Sequence, residues 1–258
     1  MIGEHSKMAK RLGIIQTRGL GDIVIALPIA LHYHEQGWEI YWPIVDSWVD
    51  QMRHYAPWVK WIPVAADQGP FFWDIPMTRL KNLKCDEILC LYNALTGHPE
   101  FSNEPFFQHT TFDQYKYVQA GVPFLNKWRL NECITRDTQR EQELFDKKVT
   151  NPNYVVTHLQ ASSAKVPFDT SMVPADWQII EIDNDGYIFD WIKIIEGAQS
   201  IIMTNSVFAN MTDQLKLGDD KYYIPLHHLN WAPVWGTTWT WLPNPDLPPT
   251  HKTVGTPG

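Results

Sequence analysis

The chain has 258 residues, 44% of them apolar, with 21 lysines and arginines against 29 aspartates and glutamates and a formal net charge of −8. That length suits one large α/β domain or two compact ones, and the acidic balance argues against broad wrapping of nucleic acid, which requires many phosphates to be neutralised. Three cysteines, none in a Cys-x-x-Cys pair, imply neither a disulfide framework nor a structural metal, and no apolar run approaches the roughly 18 residues of a membrane span.

Residues 12–16 predict a short buried strand. Arg18-Gly19-Leu20-Gly21-Asp22 follows as a glycine turn, after which Ile23, Ala26, Leu27, Ala30 and Leu31 recur at helical spacing. Such a strand–turn–helix unit places backbone N–H groups and the positive end of a helix at a sheet edge, where α/β proteins bind ligands. Asp22 is then a carboxylate available for proton transfer, or simply a complement to the helix dipole worth about 0.3–1 kcal/mol. Arg18, Gly19 and Gly21 belong to the same candidate cleft.

Strands are predicted at 39–42, 59–64 and 86–92 and a helix at 47–54, an alternation that favours a parallel sheet covered on both faces. The stretch 93–112 is irregular and aromatic, the kind of long loop that often carries function. A helix at 111–120 offers Phe112, Tyr115, Tyr117 and Val118 for packing, and Thr138–Lys148 is a charged helix. Asn151-Pro152-Asn153 marks the boundary between a first domain, 1–150, and a second, 151–243. Residues 244–258, rich in proline, are expected to be a disordered tail.

The second domain opens on a strand at 154–159, and its next loop carries Ser162, Ser163 and Lys165. Hydroxyls, backbone N–H groups and an ammonium are what a diphosphate needs. A strand at 177–182, a helix at 187–197, the strand Ser200–Met203 and the helix Val207–Leu215 follow. Asn205 or Ser206 can cap that last helix and would face a diphosphate at its N-terminus. Asp183-Asn184-Asp185 has oxygens at a spacing that can hold a divalent cation, but a turn-forming acidic pair before Gly186 explains it more simply, so no metal is expected. His227 and His228 are adjacent and in a strand would point to opposite faces. His227 is assigned with Trp231 to the border of the cleft, and Trp235, Trp239 and Trp241 are expected to pack across the two domains.

The Gly19-x-Gly21-Asp22 turn, the Ala26-Leu27-Pro28 that follows it and the strand 38–42 together resemble the N-terminus of heptosyltransferase-type glycosyltransferases, the ADP-heptose:lipopolysaccharide heptosyltransferase type, over roughly the first forty residues. The resemblance implies a GT-B architecture, two Rossmann-like domains facing each other across a cleft, in a compact version. It implies Asp22 as general base and a nucleotide-diphosphate sugar as co-substrate, with no bound cofactor. Ser162, Ser163 and Lys165 match the family's Thr/Ser and Lys loop. The family's Asp-Thr/Ser-Gly triplet is Asn205-Ser206-Val207 here, and Asn210 stands at the family's histidine position, departures that argue against a heptose donor.

The expected activity is therefore glycosyl transfer, inverting and metal-independent, to an acceptor hydroxyl. Short phage-encoded sugar transferases share this general look, so the acceptor is a glycan or, in a viral setting, a hydroxymethylated DNA base. Two alternatives stand beside it. Another nucleotide-binding Rossmann-type enzyme, an epimerase or dehydrogenase, would lack the third glycine of the dinucleotide fingerprint. A non-catalytic sugar-binding module would leave a second Rossmann-like half unused. The polar start of the chain, with too short an apolar run for a signal peptide, gives the cytoplasm as the expected location, the host's if the protein is viral.

Overall fold

The computed structural model describes residues 9–66, 72–92, 110–161, 164–226, 234–235 and 238–247. Strands β1 (Arg11–Ile15), β2 (Glu39–Val45), β3 (Lys60–Val64) and β4 (Glu87–Cys90) form one parallel sheet in the order β3-β2-β1-β4. Strands β5 (Tyr154–His158), β6 (Gln178–Glu181), β7 (Ser200–Met203), β8 (Lys221–Tyr223) and β9 (Thr240–Trp241) form a second parallel sheet in the order β6-β5-β7-β8-β9. The central strands are buried on both faces, as parallel sheets require: Leu12, Ile14 and Ile15 in β1, Val155 and Val156 in β5. A Cβ on Gly13 would come 2.7 Å from Leu80 Cδ1, so this glycine lets α3 (Asp74–Asn82) lie close on β1. Only Pro76 and Leu80 of α3 are buried, too few apolar positions to betray a helical period in the sequence.

Helix α1 (Leu20–Glu35) is buried without interruption from Ile23 to Leu31, and a helix apolar all round belongs between layers. It separates the first sheet from α8 (Val207–Leu215) of the second half, which it contacts. Pro28 lies inside α1 and has no N–H, so Val24 O loses its usual donor four residues on. Gln214 Nε2 of α8 donates to that carbonyl at 3.2 Å, and Tyr117 donates to the neighbouring Ile25 O at 2.8 Å. One hydrophobic cluster accordingly runs from Leu12, Ile14 and α1 through to Val156, Met203 and Met211.

Helix α2 (Val49–Tyr55) joins β2 to β3 in the first half, and the segment between β4 and β5 contains α4 (Gln114–Gln119), a 3-10 turn Phe124–Arg129, α5 (Leu130–Cys133) and α6 (Thr138–Lys148). Lys127 is fully buried and pairs with Asp113 at 2.7 Å and Asp213 of α8 at 2.6 Å. Trp235 Nε1 donates to Asp113 and Trp239 Nε1 to Asp213, which places both indoles at the seam between the halves. Asp137 caps α6 by accepting the N–H of Arg140. Although α6 precedes residue 150, it packs on the second half: Arg140 grips Asp190 at 2.7 Å, and Asp190 also accepts the Tyr55 hydroxyl of α2.

Several elements differ in detail from the sequence expectation. The segment 187–197 is a 3-10 turn, Ile188–Trp191, followed by α7 (Ile192–Glu196), and 47–54 is a 3-10 turn, Asp46–Trp48, leading into α2. Val118 is 55% exposed rather than packed, because Tyr115, Lys116 and Tyr117 take the inward positions of the short α4. Asn244 is buried and its Nδ2 donates to Pro225 O, so the proline-rich tail begins as a folded turn. The loop 93–109, the serines 162–163, His227, Trp231 and residues 248–258 lie outside the described residues.

Candidate active site

Each sheet has a point where successive connections leave in opposite directions, between β1 and β4 in the first and between β5 and β7 in the second. Open α/β sheets bind ligands at the carboxyl ends of the strands at such points. In the first half that position is filled by the turn from Thr17 to Asp22. Tyr92, just beyond β4, spans the gap: its hydroxyl accepts the N–H groups of Thr17 at 3.0 Å and Arg18 at 3.1 Å. The Arg18 side chain is exposed with its guanidinium 5.5 Å from the Phe72 ring centre. Gly19 has φ +81°, and a Cβ there would overlap Asp22 Oδ2. Glycine is therefore required both by the backbone and by the carboxylate lying against it.

Asp22, in the first turn of α1, keeps 20% of its side chain exposed, and its Oδ1 lies 2.9 Å from Lys116 Nζ of α4. Burial pushes the Asp22 carboxyl above the usual carboxylate range, while the Lys116 charge and hydrogen bond oppose that rise. Burial acts to lower the Lys116 ammonium, but the attraction of Asp22 and Tyr115 prevails and holds its pKa above the ordinary lysine value. Asp22 is thus a carboxyl group of increased proton affinity beside a charged lysine.

In the second half, Thr204, Asn205 and Ser206 connect β7 to α8. Ser206 Oγ caps α8 by accepting the Ala209 N–H at 3.3 Å, and Thr204 is anchored below by donating to Ile224 O. Asn205 is partly exposed beside that cap. His158, at the end of β5, lies against Phe208 with ring centres 4.8 Å apart. Burial lowers its pKa to about 4, so the imidazole is neutral near pH 7, and its buried Nδ1 has no hydrogen-bond partner among the described residues.

The two crevices meet. A Cβ on Gly21 would lie 2.7 Å from Asn210 Nδ2 and 3.6 Å from Val207 N, so the first turn of α1 rests directly on the first turn of α8. Asp22 follows Gly21, and the N–H groups at the start of α8 have no acceptors within their own helix. A carboxylate from one half and a helix N-terminus from the other therefore stand on adjoining turns. Asn210 is itself buried, and its Oδ1 is without a hydrogen-bond partner among the described residues.

Of the residues singled out in the sequence, Arg18, Gly19, Gly21, Asp22, Asn205 and Ser206 converge here. Lys165 does not: it is exposed and its ammonium pairs at 2.9 Å with Glu181 at the end of β6, on the side of β5 away from β7. Asp183 and Asp185 are taken up by Lys147 and Lys148 of α6, and Asp183 accepts the Asp185 N–H in a turn. No group of three or more His, Cys, Asp or Glu placed to hold a metal occurs among the described residues. Lys116, Tyr92 and His158 were not picked out from the sequence. Lys116 did leave a signal, as the one charged residue within the aromatic run Tyr115-Lys116-Tyr117.

No family model and no curated protein matches the sequence. Solved structures do. A glycosyl transferase family 9 protein from Veillonella parvula is 11% identical and matches over 91% of this chain and 87% of its own, with a TM-score of 0.58. The ADP-heptose lipopolysaccharide heptosyltransferase II of E. coli is 9% identical over 90% of each chain, with a TM-score of 0.52. The fold is GT-B. A third GT-B neighbour, the iron-containing dodecameric heptosyltransferase TibC of enterotoxigenic E. coli, solved with ADP-D-β-D-heptose, is 11% identical, covers 85% of this chain and 59% of its own, and gives a TM-score of 0.52. Among the described residues, no helix is long and apolar enough to cross a membrane.

Proposed function

We propose that this protein is a glycosyltransferase that moves a sugar from a nucleotide-diphosphate sugar to an alcohol, with Asp22 as the general base. The observation that carries the reading is the contact of Gly21 with the first turn of α8. A partly exposed carboxylate on one turn and the positive end of a helix on the next support action on a single substrate between them. In the transfer, Asp22 Oδ2 takes the acceptor's hydroxyl proton as that oxygen forms a bond to the anomeric carbon. The bond from that carbon to the diphosphate oxygen breaks, and its electron pair leaves with the nucleoside diphosphate. Inversion follows from attack opposite the leaving group. The growing charge on the diphosphate would be met by N–H groups of Val207 and Phe208 and the Ser206 hydroxyl, an electrostatic role that requires no metal.

The nucleotide-sugar class is supported by TibC, a GT-B neighbour bound to ADP-D-β-D-heptose. Asn205 and Asn210, where the heptosyltransferase pattern has acid and histidine, favour a different sugar in the donor site. The net charge of −8 favours a glycan acceptor over DNA. A thermal-shift screen of ADP, GDP, UDP, CDP and dTDP, their sugars, and NAD tests the donor class. One nucleoside diphosphate at about 100 times its Kd should stabilise by about 2.7 kcal/mol, which is roughly 5–10 °C for a chain of this size. Stabilisation by NAD alone would overturn the reading.

A further inference from the structure

We infer that Lys116 is a positioning residue of the site: it clamps one oxygen of the Asp22 carboxylate and leaves the other aimed at the acceptor hydroxyl. The inference rests on the reading of Asp22 as the base. Lys116 is 1% exposed and its ammonium has three protons to place. They are donated to Tyr115 Oη at 2.8 Å, Gln16 Oε1 at 3.0 Å and, more weakly, Leu91 O at 3.4 Å, while the ammonium itself lies 2.9 Å from Asp22 Oδ1 as an ion pair. Gln16 in turn donates from Nε2 to Arg18 O at 2.8 Å, so the ammonium is tied through it to the glycine turn itself. The opposite oxygen, Asp22 Oδ2, lies over Gly19, where no side chain intervenes. The carboxylate is thus held from one side by a cation and from the other by the bare backbone of the turn.

The position is poorly explained by stability alone. Lys116 sits between Tyr115 and Tyr117 on the inward face of α4, with its ammonium 4.8 Å from the Phe112 ring centre and 4.7 Å from that of Tyr115. An aliphatic residue would fill such a site without desolvating a charge, and buried ion pairs are often no more stable than apolar replacements. Asp22 is the carboxylate that Lys116 pairs with among the described residues. The charge therefore acts on Asp22, opposing the rise in proton affinity that burial imposes and fixing the carboxylate's orientation. When Oδ2 receives the acceptor proton, Lys116 keeps all its own protons and remains a cation. The other titratable groups facing the pair are Tyr115 of α4, and Cys90 and Tyr92 at the end of β4. Burial raises the pKa of Tyr115, Cys90 and Tyr92, Cys90 to about 11, so none of these three carries a charge near neutral pH.

The test is a carboxyl carbon NMR titration of Asp22 in the wild type and in Lys116→Met, with Asp22→Asn used to assign the signal. Loss of the ammonium should move the Asp22 titration upward by about 1–3 pH units. With a nucleotide sugar selected by the thermal-shift screen, kcat should fall about 100-fold or more, its acid limb should move upward with the titration, and the donor KM should stay within about twofold of the wild type. An Asp22 titration unchanged in Lys116→Met, or an unchanged kcat, would overturn the role. If the wild type turns over no nucleotide sugar, the proposed function fails, while the titration still decides whether Lys116 controls Asp22. If Lys116→Met does not fold, the Lys116 Nζ resonance is compared in the wild type and Asp22→Asn. A lowered lysine titration in Asp22→Asn supports the clamp, and an unchanged one refutes it.

Discussion

Gln214→Leu tests how the two halves are joined. Gln214 Nε2 donates to Val24 O and to Lys127 O, each at 3.2 Å, and Val24 O depends on it because Pro28 offers no N–H. Leucine has similar bulk but no donor, so two buried carbonyls lose a partner at about 1–3 kcal/mol each. Removing Gln214 Oε1, itself buried and unpartnered among the described residues, offsets about 1 kcal/mol of this. The net expectation is a destabilisation of roughly 1–5 kcal/mol, a fall in Tm of about 2–4 °C for each kcal/mol. The informative comparison is the same substitution in a Pro28→Ala background. There the alanine restores a backbone N–H that can reach Val24 O, and Gln214→Leu should be milder by about 1–2 kcal/mol. Urea unfolding of the four proteins measures this coupling. An effect of Gln214→Leu that is equal in the two backgrounds, within about 0.5 kcal/mol, would refute the idea that the proline carbonyl is what Gln214 serves.

Two further outcomes are expected. Lys127→Met strands the buried carboxylates of Asp113 and Asp213 and should destabilise by about 3–5 kcal/mol, lowering Tm by about 10 °C. Calorimetry showing a shift under about 2 °C would contradict the importance of this bridge. His158 titrates near 4 in the fold against about 6.5 in the unfolded chain. Its contribution is complete above about pH 6.5 and is lost as pH falls towards 4, because the unfolded state then binds the proton more readily. The stability of His158→Phe relative to the wild type should therefore rise by roughly 2–3 kcal/mol between about pH 7.5 and about pH 4.5. Equal pH slopes in chemical denaturation would show that His158 is not held neutral.

The periodic apolar segments were legible because burial writes directly into sequence. Ser200–Met203, Val207–Leu215 and Thr138–Lys148 have the bounds the pattern predicts. The glycine turn was equally readable, since φ +81° at Gly19 and the contact of Gly21 with α8 both demand glycine. What could not be read depends on distant partners. Lys116 lies 94 positions from Asp22 in the chain and forms one bond of the pair only after α4 folds against α1. Lys165 looked like a phosphate ligand from its neighbours in sequence, but Glu181 of the adjacent strand takes its charge. The helix α3 was missed because two buried residues establish no period.

Asp22→Asn, assayed with the nucleotide sugar that stabilises the wild type, is the most direct test of the proposed chemistry. The substitution keeps the shape of the side chain but removes the base. The sugar donor should therefore still raise Tm by nearly the wild-type amount, while release of nucleoside diphosphate to an acceptor falls by about 100-fold or more. Wild-type turnover in Asp22→Asn would contradict the account.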